Sequence, residues 1–338
     1  MSLCINTTTP GGIVLAADSR QSYRNRKAMG RVGSDSASKI FKLNSRIGIA
    51  TAGLAFLSEQ GVRKSISKFI DEFTDGIDID KLTVAEVAKE LREFFESKYQ
   101  YREKLNALPK RIQADLERQG CKIVGPIKKE KDKVRFEFID RDGKKGQGMA
   151  GVDSLQFIVA GYNLNNSYQV HMIYIPGPSQ VRRDSLEKKK EYGTSWIGQT
   201  DVVQRIVLGF DGRLGNLPFI RKASSELGDD VVRGQLKSLE YAISWGTMTL
   251  QDAIDFSILA IETTTAIQRF SDGIIGDPGD IPGVGGHVDV ALITPDKGFV
   301  WISKKNLSVN GKEVNLDEFP DLVKEKSKPS RKRKPRKR

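Results

Sequence analysis

This 338-residue sequence has few of the residues that most catalytic and scaffolding chemistries need: two cysteines and two histidines. Cys4 and Cys121 are too few and too scattered for a disulfide framework, a usage that fits a reducing interior. His171 and His287 stand far apart with no ligand cluster around them, so no zinc motif is recognisable and no metal is expected. No Walker-type or Rossmann glycine motif follows a strand and opens a helix, and no cofactor is expected. No apolar run approaches the ~20 residues of a membrane span. Residues 2–9 lack both the basic and the apolar region of a signal peptide. The expected address is cytoplasmic, with no membrane partner.

Apolar residues are also scarce, at 38%, but the deficit is local to residues 103–150 and 324–338. The net charge of +12 is equally uneven. Residues 324–338 hold ten Lys/Arg and one acid, which leaves 45 basic and 42 acidic residues in the rest of the chain. The body is therefore near balance. A run ending Arg331-Lys332-Arg333-Lys334-Pro335-Arg336-Lys337-Arg338 cannot bury apolar surface and is expected to be a disordered basic tail. Such a tail could contact a polyanion with steep salt dependence. It lacks aromatics for base stacking, which argues against sequence-specific recognition.

What is present begins with a strand over residues 3–9 and the turn Pro10-Gly11-Gly12. A second strand, Ile13 to Ala17, is apolar on both faces. A turn near Pro10-Gly11 pairs residues whose numbers sum to about 20 or 21, which brings Asp18 opposite Ser2 or Leu3. Residues 21–37 read as a loop. Ser38–Leu43 and Arg46–Ala52 read as strands joined at Asn44-Ser45. A helix is predicted from about Ala55 to Phe73, and a second from Thr83 to about Arg102, opened by a Thr83/Glu86 capping box. Residues 103–150 read as a charged insertion with little core, containing the hairpin strand Val134–Ile139 ended by Asp142-Gly143. Strands follow at 155–162, 168–175 and 179–183. Helices are predicted after Gly198, from about Ser225 to Ser244, and after Thr249; strands His287–Thr294 and Gly298–Ser303 close the pattern. Strands at both ends with helix pairs between them suggest two stacked antiparallel sheets with helices on both outer faces, an α+β architecture.

Four positions carry chemistry. Removal of Met1 would leave Ser2 with a hydroxyl and a free α-amine, whose ordinary pKa near 8 lets it accept that hydroxyl's proton. Lys39 shares a strand face with Phe41 and Leu43, an apolar setting in which a lysine needs a carboxylate. Asp18, at the end of the buried strand, could supply it. A cation there would lower the pKa of the α-amine and keep it a free base. Gly53 follows Thr51 and Ala52, and its backbone N–H could stabilise an oxyanion.

Together these residues resemble the proteasome β-type subunits of the N-terminal nucleophile hydrolases. The pattern is a nucleophile, an acid sixteen residues later, a lysine opening Lys39-Ile40-Phe41-Lys42-Leu43, and Ile47-Gly48-Ile49-Ala50-Thr51-Ala52-Gly53-Leu54. Leu155–Gly161, Met248-Thr249 and Gly285 to Ile293 follow in the family's order, so the resemblance covers roughly 1–102 and 151–306. It implies a four-layer αββα sandwich, cleavage of amide bonds in a peptide or protein substrate through an acyl-enzyme ester, and a homo-oligomeric ring. A proteolytic machine of this kind would need a separate ATPase. In that scheme Ser2 attacks, Asp18 and Lys39 tune its amine, and the Gly53 N–H holds the oxyanion.

The resemblance has departures. The family usually starts with threonine. Its Gly-Ser-Gly element appears here as Gly198-Gln199-Thr200, and its Asp-x-x-Ser-Gly-Gly element is interrupted by residues 273–286. Asp272 is then the candidate acid of that element, and Val284 takes the serine's place before Gly285-Gly286. The insertion 103–150, the extension 307–323 and the tail 324–338 have no counterpart in the usual subunits. Water and an amine remain equally open as acyl acceptors, that is, peptidase or transpeptidase. The alternative is a non-catalytic ring or scaffold subunit whose tail binds a polyanion or a partner.

Overall fold

The computed structural model describes residues 2–24, 30–130, 132–275, 277–278, 281–309 and 312–314. Met1 and the basic tail lie outside the described residues. Strand β1 (Leu3–Thr9) turns at Pro10-Gly11 into β2 (Gly12–Asp18). The ladder runs from Cys4↔Ala17 to Thr9↔Gly12, so each pair sums to 21 and Asp18 falls opposite Leu3. Every residue of both strands is buried, which accounts for an apolar pattern on both faces of β2.

Residues 21–37 are not a plain loop. They contain the hairpin β3 (Gln21–Arg24) and β4 (Gly30–Ser34). Strands β5 (Ile40–Lys42) and β6 (Ile47–Gly53) are joined by an Asn44 turn, whose side-chain oxygen accepts the N–H groups of Arg46 and Ile47, both at 2.8 Å. The helix predicted from Ala55 starts later. A hairpin of β7 (Phe56–Glu59) and β8 (Val62–Ser65) comes first, turning at Gln60 (φ 50°) and Gly61 (φ 80°). Two successive left-handed residues give the turn twist that a two-residue hairpin prefers. Helix α1 (Ile66–Gly76) then begins at the Ser65 cap.

Helix α2 (Val84–Lys98) opens with the Thr83/Glu86 capping box and stops four residues before Arg102. The insertion is more ordered than its composition suggests. Helix α3 (Tyr101–Arg118) packs Leu105 and Ile112 against Val134 on a sheet of β9 (Lys122–Lys129), β10 (Lys133–Ile139) and β11 (Lys145–Gly151), in the order β11-β10-β9.

Strands β12 (Leu155–Tyr162), β13 (Tyr168–Ile175) and β14 (Ser179–Asp184) fall within a residue of the predicted spans. Strand β15 (Gly193–Gly198) precedes α4 (Asp201–Leu208) and has no counterpart in the sequence reading. The helix predicted over 225–244 is broken. It becomes α5 (Pro218–Leu227) and α6 (Asp229–Leu236), separated by Gly228 at φ 88°, a conformation outside any helix. Helix α7 (Leu250–Phe270) starts at Thr249, capped through Asp252, and leads to β16 (Val288–Thr294) and β17 (Gly298–Ser303).

The result is a mixed α/β structure with several antiparallel sheets. Two have five strands, in the orders β15-β1-β2-β16-β17 and β14-β13-β12-β6-β5. Cys4, Ile13 and Leu15 of the first sheet share a buried cluster with Ile40, Ala50, Ile158 and Val170 of the second. Phe69, Leu91 and Phe95 of α1 and α2 bury Ile49, Phe157 and Val159 of the second. Val203 of α4 and Ala253 and Ile261 of α7 bury Ile5, Val14 and Ala16 of the first. Ser2 stands just before β1, beside the end of β15 in the same sheet and the end of β6 in the other.

Candidate active site

The ladder sum of 21 decides what lies beside Ser2. Asp18 ends β2 with its side chain fully shielded from solvent, and four donors fill its two oxygens. Oδ1 accepts the Leu3 N–H at 2.9 Å and the Lys39 ammonium at 2.6 Å. Oδ2 accepts the backbone N–H groups of Arg20 at 3.1 Å and Gly285 at 3.0 Å. That uses about all the acceptor capacity a carboxylate has. Lys39 is 5% exposed and also donates to the Arg20 carbonyl at 2.6 Å. An ion pair this deep is held in place because each ion has further hydrogen bonds. Lys39 lies just before β5, and the Thr51 N–H donates to its carbonyl at 2.9 Å, which carries the Ile40↔Ala50 register one residue further and leaves Lys39 lining the same cleft as Phe41.

Arg20 and Gly285 are positions that reasoning from side chains misses, because both act through the backbone. The Arg20 guanidinium grips Asp35 at 2.7 and 3.0 Å, which holds the Asp35 carboxyl below its ordinary range. Gly285 joins from 267 residues away, anchored by the Ser19 N–H to its carbonyl at 3.1 Å. Cys4, next to this pair along β1, is fully buried. Burial pushes its thiol up to about 12, although the Lys39 charge opposes the shift.

The ends of β6 and β15 complete the surroundings of Ser2. Gly53 has φ 88°, and a Cβ there would stand 2.0 Å from the Ser154 carbonyl oxygen. Gly198 has φ 92°, and a Cβ would stand 1.9 Å from the Ser2 carbonyl oxygen. Both positions therefore require glycine. The Gln199 N–H donates to the Ser2 carbonyl at 2.6 Å, and the Gly198 N–H donates to Gln156 at 2.9 Å. The altered Gly198-Gln199-Thr200 element thus holds Ser2 by its backbone.

Ser2 and Gly53 line two clefts. The smaller, about 280 Å³, includes Lys39, Ser38, Phe41, Thr51 and Ser65. The larger, about 690 Å³, includes Gln156, Gln199, Arg205, Arg213, Gln268 and Ile274. Ser2 and Gly53 thus stand where the two clefts come together. Asp272 is exposed beyond the end of α7, between Ser271 and Gly273 of the larger cleft. None of the Asp18 or Lys39 hydrogen bonds described above involves it. Val284 is fully buried, and its N–H donates to Gln268 at 2.9 Å. Among the described residues, no group of three or more His, Cys, Asp and Glu could hold a metal ion, and no helix is long and apolar enough to cross a membrane.

Sequence comparison finds no matching family model and no matching curated protein. Solved structures do match. One is Anbu (ancestral beta-subunit) from Yersinia bercovieri, with a TM-score of 0.44 and 10% identity over 90% of this chain and 88% of that one. Another is the Anbu (Gly-1) mutant from Hyphomicrobium sp. strain MC1, with a TM-score of 0.44 and 12% identity over 96% of each chain.

Proposed function

We propose that this protein is an N-terminal serine nucleophile hydrolase of proteasome-like, four-layer αββα build, which cleaves peptide or amide bonds through an acyl-enzyme ester once Met1 is removed. The observation that carries the reading is the single carboxylate oxygen of Asp18 shared by Lys39 and the Leu3 N–H, one residue from Ser2. It ties the cation to the chain's start with no freedom to drift. Ser2 Oγ attacks the scissile carbonyl, and its own α-amine accepts the hydroxyl proton. Lys39 favours the neutral amine by like-charge repulsion, while Asp18 holds Lys39 and the backbone of Leu3 in position. The Gly53 N–H receives the developing oxyanion. The amine then protonates the leaving nitrogen, and water or a second amine discharges the ester. Asp272, exposed at the rim of the larger cleft, would act as an outer acid of this site, and the assembly would be a homo-oligomeric ring.

The test is labelling by an electrophile selective for N-terminal nucleophiles. Ser2→Ala and Lys39→Ala should each abolish the adduct. Unchanged labelling in either variant would show that the site is misassigned.

A further inference from the structure

The larger cleft beside Ser2 has features that the nucleophile itself does not use. Gln268, in the last turn of α7, is 8% exposed. Its side-chain oxygen accepts the Val284 N–H, and only the oxygen of an amide can do so, which fixes the amide's orientation. Its Nε2 is buried without a partner. Gln199 lines the same cleft, and its Oε1 is likewise buried without a partner. One is a donor and the other an acceptor. Buried, unpaired amide atoms are costly, so both side chains gain by turning toward a ligand in the cleft that supplies the missing acceptor and donor. The rest of the wall is apolar along Val202, Ile267, Ile274 and Ile281 and charged at Asp201, Arg205 and Arg213. The cleft's volume of about 690 Å³ suits a short stretch of peptide.

We propose that this cleft binds the main chain of a peptide amine, the leaving segment when a bond is cut and the acceptor when one is made. This rests on Ser2 being the nucleophile. Gln268 Nε2 donates to a main-chain carbonyl of that segment, and Gln199 Oε1 accepts a main-chain N–H. Neither contact reads a side chain, so recognition is of the peptide unit, with the isoleucine wall covering apolar side chains. In the acceptor direction the amine nitrogen attacks the ester carbon of acyl-Ser2. The C–N bond forms, the C–Oγ bond breaks, and the amine's proton returns to Oγ through the Ser2 α-amine. No further reactant is needed.

The test acetylates the full-length protein with p-nitrophenyl acetate, locates the adduct by mass spectrometry, and follows its discharge by glycylglycine amide or ethylamine. Glycylglycine amide should discharge it faster at equal free-amine concentration, and with saturation. Gln268→Glu keeps an oxygen for Val284 but replaces the donor with an acceptor. It should lower the rate ratio between the two amines about tenfold, the effect of one lost hydrogen bond. Gln199→Leu should lower the same ratio. Equal, unsaturating discharge by both amines in the wild type, or a ratio unchanged in both variants, would overturn this proposal alone. Absence of any Ser2 adduct would overturn the nucleophile reading and this proposal with it.

Discussion

On the Asp18 flank of Ser2, one carboxylate receives four donors and its lysine partner is 5% exposed. On the flank of the larger cleft, Gln199 and Gln268 each carry a buried amide atom with no partner. The Asp18–Lys39 pair is bonded throughout within the fold, and the two glutamines are not. The contrast suggests a division of labour. Groups that must keep one geometry and one charge state through a reaction are bonded into the fold, whereas groups that recognise a transient chain stay unsatisfied until it arrives.

The complete flank should be the harder one to perturb without loss. Lys39→Ala leaves the Asp18 carboxylate buried with its counter-ion gone, at a cost of about 3–5 kcal/mol. Urea unfolding should show that loss, and the same variant should lose electrophile labelling. Lys39→Arg keeps a cation but not its point geometry, and should recover stability better than labelling. A variant as stable as the wild type would mean that the pair is not held as described.

Gly198→Ala comes next. Its Cβ would meet the Ser2 carbonyl at 1.9 Å in a left-handed conformation, so the end of β15 must move. A loss of about 1–3 kcal/mol is expected from the strain alone. Labelling of Ser2 should fall by more than the loss of folded protein explains, because the displaced atom belongs to Ser2 itself.

The smallest effect is expected beyond the open flank. Arg205 and Arg213 line the larger cleft and pair with Asp211, which is 7% exposed. The hydrogen bond from Arg213 holds the Asp211 carboxyl well below its ordinary range, against the effect of burial. A carboxyl depressed on folding stabilises the native state fully above its unfolded pKa, near 3.9, and that contribution is lost as pH falls below this toward the folded value. Both guanidiniums are about half exposed, so the contribution is about 1 kcal/mol. Asp211→Asn should therefore melt lower than the wild type at pH 7, with the gap closing below pH 4. A gap independent of pH would mean that the charge of Asp211 contributes nothing.

The two flanks also differ in how much of them the sequence reveals. Ser2, Asp18 and Lys39 are legible because the Pro10-Gly11 turn sets the register and a lysine before an apolar strand asks for a counter-charge. Arg20 and Gly285 are not, since a backbone N–H leaves no trace in residue type and Gly285 arrives from 267 residues away. Gln199 and Gln268 are ordinary residues until a fold buries them. The fold divides in the same way. Strands β1, β2, β12 and β13 are patterned and uninterrupted. Helix α3 hides its stripe, because only Leu105 and Ile112 are buried along a charged helix that also contains Pro109. The 55–73 segment looks helical until Gln60 and Gly61 adopt left-handed conformations that composition does not announce.

The central claim is that residue 2 becomes the reactive terminus of the chain. The intact mass of the purified native protein after treatment with an N-terminal-nucleophile electrophile tests it directly. The account predicts a mass lacking Met1 and carrying one adduct, which peptide mapping places on Ser2. Retained Met1, or an adduct on any other residue, would contradict it.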